Sequence, residues 1–233
     1  MNQTSHWDRV IEATQDEFAR TYSAHPLIEN TLCGQLSIRV YMQYLTETYH
    51  MVRHTAQMLA LGAARCGVDR PALRDWFLEQ LEEERGHDLL LLKDLRTLDV
   101  DTDKVAASTP GRGAWGLVTQ NYFMTTYGNP VGILGVASLT EGLGATMATE
   151  LADCLNQQYG LPPSATTFLR SHGGFDVKHV EEVKSAINEI AAAEEVPYII
   201  HARRMTIQTY AQMFDDALHH PAVHESATDA VGV

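Results

Sequence analysis

The chain has 233 residues, 45% of them hydrophobic, which supplies a substantial core and suits one large domain, expected here over residues 1–220 with a flexible tail at 221–233. With 17 Lys and Arg against 30 Asp and Glu, the net charge is −13 and no basic cluster stands ready to neutralise phosphates, so nucleic acid is excluded as an expected partner. The start "MNQTSHWDRVIEATQDEF" lacks a basic lead and an apolar core, and no uncharged apolar run approaches a membrane span; a soluble, cytoplasmic protein is expected.

Helical periodicity predicts helices over about residues 6–23, 36–66, 71–97, 112–126, 130–158, 163–171, 174–194 and 196–219, and few runs alternate as strands do. The predicted class is all-α. Asp69-Arg-Pro71 and Asn129-Pro130 read as helix caps followed by a first-turn proline, and Gly67 and Gly160 as stops. Residues 98–113 are the most loop-like stretch. Cys33, Cys66 and Cys154 are odd in number and far apart, which suits neither a disulfide framework nor a thiolate zinc site. Any metal must be held by His and carboxylate.

Two helical stretches carry such groups. "LEQLEEERGHDLLLLKDL" contains Glu84-x-x-His87, and "SHGGFDVKHVEEV" contains His172, Asp176 and His179 at i, i+4 and i+7, one face of a helix. Each is preceded, one long helix earlier, by a glutamate: Glu47 in "MQYLTETYHMV" and Glu141 in "GVASLTEGLGATM". Bundle di-iron and di-manganese sites use one Glu from each of two helices and a Glu-x-x-His from each of the other two. The chain supplies that set with Asp176 substituted once and His172 added. Four carboxylates cancel the charge of two divalent ions, so the cluster is compatible with burial. Oxygen and nitrogen donors suit iron or manganese. The His172, Asp176 and His179 array is more specific than the Glu84–His87 pair, and Glu141 is informative in a different way, because its neighbours are apolar or small and a lone carboxylate there is costly.

Simpler readings stand beside these. The "EEER" run reads as a solvated face, and Glu83, at i−4 from His87, is an alternative ligand to Glu84. His50 and His54 read as supporting or structural groups. Gly173 and Gly174 weaken a helix at the ligands, which predicts an irregular or partly unwound segment.

The stretches "ETYHMVRH" (47–54), "EEERGHDLLLLKDL" (82–95), "NPVGILGVASLTEGL" (129–143) and "HGGFDVKH" (172–179) together resemble the haem-oxygenase-like di-iron oxidases, often described as iron-containing redox enzymes. The resemblance covers roughly residues 20–215. It implies a seven-helix bundle with two non-haem Fe ions, or a Mn/Fe pair, and no haem. By motif position it implies Glu47, Glu84, His87, Glu141, His172, Asp176 and His179 as ligands. It also implies that the last ligand helix orders when iron binds, the two glycines then serving as hinges.

The reaction so implied uses O2 as co-substrate to oxidise a small carboxylate, an amino acid or fatty acid, by C–C cleavage, desaturation or N-oxygenation, with a redox partner or chemical reductant supplying electrons. A carboxylate needs a cation, for which Arg53 and Arg203 or Arg204 are candidates; Tyr49, Tyr122 and Tyr210 either line the pocket or pack in the core. Rival readings are a metal-free thiaminase-like enzyme or binding module, a haem protein ligated by His25, and a ferritin-like iron store. Apolar helix faces lead to the expectation of a homodimer.

Overall fold

The structure, a computed structural model, describes residues 4–224; the side chains of residues 174–177 and 224 lie outside the description. Helix α1 (His6–Tyr22) begins where the Ser5 side chain accepts a hydrogen bond from the Asp8 N–H. Helix α2 (Pro26–Leu32), which periodicity did not indicate, is capped by His25, whose Nδ1 accepts from the Leu27 N–H at 3.3 Å.

The predicted helix at 36–66 is two, α3 (Ile38–Val52) and α4 (Thr55–Cys66), and the one at 71–97 is α5 (Pro71–Glu84) followed by α6 (His87–Thr97). The second break falls at Gly86, whose φ of +93° is left-handed and cannot continue a right-handed helix. Asp101 caps a short α7 (Thr102–Ala107) inside the loop-like stretch. Helix α8 (Arg112–Thr126) matches its prediction. Helix α9 (Gly132–Leu143) runs through a π-helical segment, Gly144–Ala148, into α10 (Thr149–Gln157).

Two predicted helices, at 163–171 and 174–194, are instead one continuous α11 (Thr167–Glu189). Helices α12 (Val196–Leu218) and α13 (Pro221–His224) complete the described chain, and residues 225–233 of the expected tail lie outside it. The all-α class holds among the described residues, but they form thirteen α-helices rather than seven. Breaks such as that at Gly86, together with short capped turns, account for the excess.

Helix α12 is the axis of the bundle, with α1, α3, α8 and α9 packed around it. Its Ile199, Ile207 and Met213 are fully buried, and each such large apolar side chain contributes about 1.5–3 kcal/mol. Gly135 lets α9 touch α12, since a Cβ there would lie 2.4 Å from the Ile199 carbonyl oxygen. One apolar cluster gathers Leu45, Leu95, Leu117, Leu139 and Phe214; a second gathers Leu59, Phe77, Leu134, Ile187 and Ile199. Among the described residues no helix is long and apolar enough to cross a membrane.

Candidate metal centre

Glu84 is the last residue of α5 and His87 the first of α6, so the pair straddles the Gly86 break instead of sharing one helical face. The two still meet: His87 Nδ1 lies 3.0 Å from Glu84 Oε2. Glu141 projects from the last turn of α9, and His172 and His179 project from α11. Glu84, His87 and His172 offer donor atoms within 4.8 Å of one another, and Glu84, Glu141 and His179 do the same. Glu84 therefore belongs to both groups, as a two-oxygen carboxylate between two cation positions would.

The surrounding contacts orient these donors. His172 Nδ1 donates to the Phe168 carbonyl at 3.0 Å, which leaves its Nε2 lone pair available. The His87 and His172 rings meet edge-on with centroids 5.0 Å apart. His179 Nδ1 lies 3.3 Å from Glu141 Oε2, and its Nε2 lies 3.3 Å from Glu83 Oε2. Both side chains of the His179–Glu141 pair are largely buried.

Protons hold this cluster together. The hydrogen bond to Glu141 pushes His179 up to about 9, against burial, and that to Glu84 raises His87. Burial lowers His172. Burial alone would raise Glu84, but the His87 hydrogen bond and the three nearby histidines outweigh it and hold the carboxyl below its usual range. A cation taking these nitrogens would displace the protons and neutralise the same carboxylates. Carboxylate oxygens and imidazole nitrogens, with no thiolate in either group, are a donor set that fits iron or manganese.

Other predicted ligands stand elsewhere. Glu47 is not brought to the cluster: it is buried on α3, where it accepts from the Gly111 N–H at 2.8 Å and from Gln43 Nε2 at 3.0 Å. Burial raises its pKa, with those hydrogen bonds opposing. The side chain of Asp176 lies outside the described residues. Of the two adjacent glutamates, Glu84 is shared by the two groups above, while Glu83, 2.9 Å from Lys178 Nζ, offers a donor atom to a third group with His179 and Glu182. His50 pairs with Ser108 and His54 with Tyr122, both structural contacts. His25 has both nitrogens engaged, one in its cap and one 3.5 Å from Asp215. At Gly173, one of the two glycines implied as hinges, α11 approaches the start of α10 closely: a Cβ there would meet Thr149 Oγ1 and would lie 2.8 Å from the Thr149 backbone N.

Asp94 is a residue that sequence reasoning missed. Fully buried on α6, it caps α11, accepting from the Thr167 N–H at 3.0 Å, the Phe168 N–H at 2.9 Å and the Thr167 hydroxyl. The signal was present, since Asp94 lies two turns after His87, within the apolar run "LLLLKDL".

A cavity of about 160 Å³ adjoins Glu84, Glu141 and His172, walled mainly by apolar residues such as Met51, Leu59, Val136, Leu143 and Phe214. Among the described residues, no lysine or arginine lines it. Arg53 instead donates to the Ala106 carbonyl and stacks over Tyr49 at 5.1 Å, while Arg203 is buried against Thr14 and Ser138. Tyr210 does line the cavity, whereas Tyr49 and Tyr122 do not.

Residues 42–211 match the sequence profile of a family described as iron-containing redox enzyme. Among solved structures, the chain resembles a domain of unknown function with a heme oxygenase-like fold from Shewanella denitrificans OS217, at 25% identity and a TM-score of 0.82 over 91% of each chain. It also resembles a TenA homologue from Pseudomonas syringae pv. tomato DC3000, at 13% identity and a TM-score of 0.77 over 92% of this chain and 93% of that one. A TenA homologue from P. horikoshii OT3 follows at 12% identity and 0.73, over 91% and 98%. The two TenA likenesses show the fold alone. No curated protein matches the chain. The profile match spans most of the chain and includes all five described residues of the cluster, so the chain belongs to the family of iron-containing redox enzymes and has the haem-oxygenase-like fold.

Proposed function

We propose that the chain is a non-haem di-iron enzyme that uses O2 to oxidise a small, largely apolar molecule held in the cavity beside Glu84. The observation that carries this reading is the sharing of Glu84 by two ligand groups, one completed by His87 and His172, the other by Glu141 and His179. Two ferrous ions bound there would supply the reducing power towards O2 that drives oxidation of the substrate. The protein's own part is placement. The Phe168 carbonyl fixes the His172 ring, Asp94 fixes the helix that carries it, and the apolar walls exclude water from the reacting region. Asp176, by its i+4 and i−3 spacing from the two histidines, is the sixth ligand in this reading.

A second reading has a specific observation in its favour. The Glu84–His87 and Glu141–His179 pairs are complete acid–base pairs without any metal, as a metal-free enzyme on the same fold would need. Anaerobic titration with Fe(II) separates the two. Two irons per chain, followed by a transient visible absorption on mixing with O2, would support the di-iron reading. Failure to bind iron would overturn it in favour of the metal-free one.

A further inference from the structure

Cys33, Cys66 and Cys154 lie far apart along the chain, but the fold brings two of them together. Cys33 is the exposed residue that ends α2, and Cys154 is partly buried on α10, which packs against α2. Cys154 Sγ lies 3.6 Å from the Leu32 carbonyl oxygen, and Gln158 Nε2 donates to both, at 3.0 Å to the sulfur and 3.4 Å to the oxygen. On the other side of Cys33, a Cβ added to Gly34 would lie 2.8 Å from Gln158 Oε1. Cys33 is thus bracketed by two residues that both touch the Cys154–Gln158 face of α10. The Leu32 oxygen and the Cys33 Cα sit on the same side of one trans peptide bond, about 2.8 Å apart, which puts that Cα within about 6.4 Å of Cys154 Sγ and about 9.2 Å of the Cys154 Cα. A disulfide needs Cα atoms about 4.4–6.8 Å apart, so closure asks for rotation of the Cys33 side chain and a shift of at most about 2–3 Å in an exposed turn.

We propose that Cys33 and Cys154 form a reversible disulfide that staples α2 to α10 when the surroundings become oxidising. The accessible Cys33 thiolate attacks one sulfur of a small disulfide, such as oxidised glutathione, and expels one glutathione thiolate. The Cys154 thiolate then attacks Cys33 Sγ and expels the second. Two protein thiols are oxidised, one glutathione disulfide is reduced to two thiols, and the two protein protons pass to the departing thiolates. Burial, then Glu150, Cys33 and Asp153, raise the pKa of Cys154, which suits it to the second step. The position of the bond gives it a mechanical role. Ile28 of α2 and Leu151 of α10 both line the cavity beside the metal centre, with Met147 and Ala148 of the preceding π segment. A covalent link between these two helices fixes that seam of the wall. The inference goes beyond the proposed function, since it holds whichever ion or ligand the site takes.

The test is equilibration of the full chain in glutathione buffers of rising oxidised-to-reduced ratio, followed by acid quenching, alkylation in denaturant and mass spectrometry. Alkylated thiols are expected to fall from three to one, and a digest to yield the Cys33 peptide joined to the Cys154 peptide. Cys66→Ser is expected to keep the cross-link, and Cys33→Ser and Cys154→Ser each to abolish it. Because Cys33 is exposed, Cys33→Ser keeps the test decisive if Cys154→Ser packs poorly. In the oxidised wild type, amide hydrogen exchange across residues 144–157 is expected to slow at least about threefold, and in Cys33→Ser to be the same in both redox states. Three free thiols at the most oxidising ratio, stable glutathionylation of Cys33 without a bond to Cys154, or a Cys33 link between two chains would each overturn the proposal. A bond that forms without slowing exchange would overturn the staple on the cavity wall.

Discussion

Asp94 Oδ2 accepts a hydrogen bond from the Phe168 backbone N–H at 2.9 Å, and through it the helix that begins at His87 is fixed to the helix that carries His172. Phe168 is one turn before His172, and its carbonyl holds the His172 ring. A single buried carboxylate thus sets both the height of α11 and, at one remove, the aim of the His172 ring. Burial raises the Asp94 pKa, and its hydrogen bonds to Phe168 and Thr167 oppose that shift.

Asp94→Ala leaves the first N–H groups of α11 without an acceptor in a buried setting. The expected loss is about 2–3 kcal/mol in urea denaturation, together with weaker iron binding despite an intact ligand set. Unchanged iron affinity in a stable Asp94→Ala protein would show that the cap does not position His172.

The shared carboxylate makes a stoichiometric prediction. Glu84→Ala removes a donor from both groups and is expected to abolish binding of both irons, whereas His172→Ala removes one from a single group and is expected to leave one iron per chain. Glu83→Gln and Glu47→Gln are expected to retain two. Iron counted by elemental analysis after anaerobic loading decides the matter, and loss of iron in Glu47→Gln would return that residue to the ligand set.

Gly173 makes a steric prediction. Its substitution by Ala puts a methyl 2.8 Å from the Thr149 backbone N, an atom that cannot swing away as a flexible side chain would. Helix α11 must then move from α10, at an expected cost of about 1–3 kcal/mol. Thermal unfolding reads the cost; a Tm equal to the wild type would mean that the two helices separate freely.

The acid limb of stability is expected to depend on Glu195. It accepts from Arg70 Nη2 at 2.8 Å, Asn129 Nδ2 at 2.8 Å and the Ala192 N–H at 3.1 Å, tying the start of α12 to the start of α5. Burial alone would raise its pKa, but these partners outweigh it and hold the carboxyl below its usual value. A lowered folded pKa contributes stability that is present above the unfolded value and lost as pH falls through the folded one. Arg70→Ala is expected to cost about 1 kcal/mol at neutral pH and less at pH values where Glu195 is protonated. An equal cost at both would remove Glu195 from the explanation.

Local signals decided how much of this was legible in the sequence. Helix α8, the start of α5 and both ends of α12 follow from proline, cap and periodicity signals that act within a few residues. The break between α5 and α6 is not legible because Gly86 sits between two segments, Pro71–Glu84 and His87–Thr97, that share helical periodicity, and its left-handed φ of +93° leaves no mark on that pattern. Spacing along the chain brought together Glu84, His87, His172 and His179, and the apolar setting singled out Glu141. Glu47 looked equivalent because burial of a carboxylate in a helix is the same signal whatever satisfies it. Here the partner is the Gly111 N–H at the start of α8, too distant in sequence for any pattern on α3 to show. Asp94 was passed over for the converse reason, its partners lying on a helix whose start was placed several residues early.

The left-handed turn at Gly86 has a consequence for the evolution and redesign of the centre. In an unbroken helix, the bite of an i,i+3 chelate is dictated by pitch, and adding or removing one residue would swing both donors together by about 100°. Glu84 ends one rod and His87 opens the next, so the two side chains, though 3.0 Å apart, are carried by different helices with different packing. A small rotation of α5 is therefore expected to move the carboxylate more than the imidazole, and if the pair holds an ion as proposed, that distance would be the dimension by which its radius is matched.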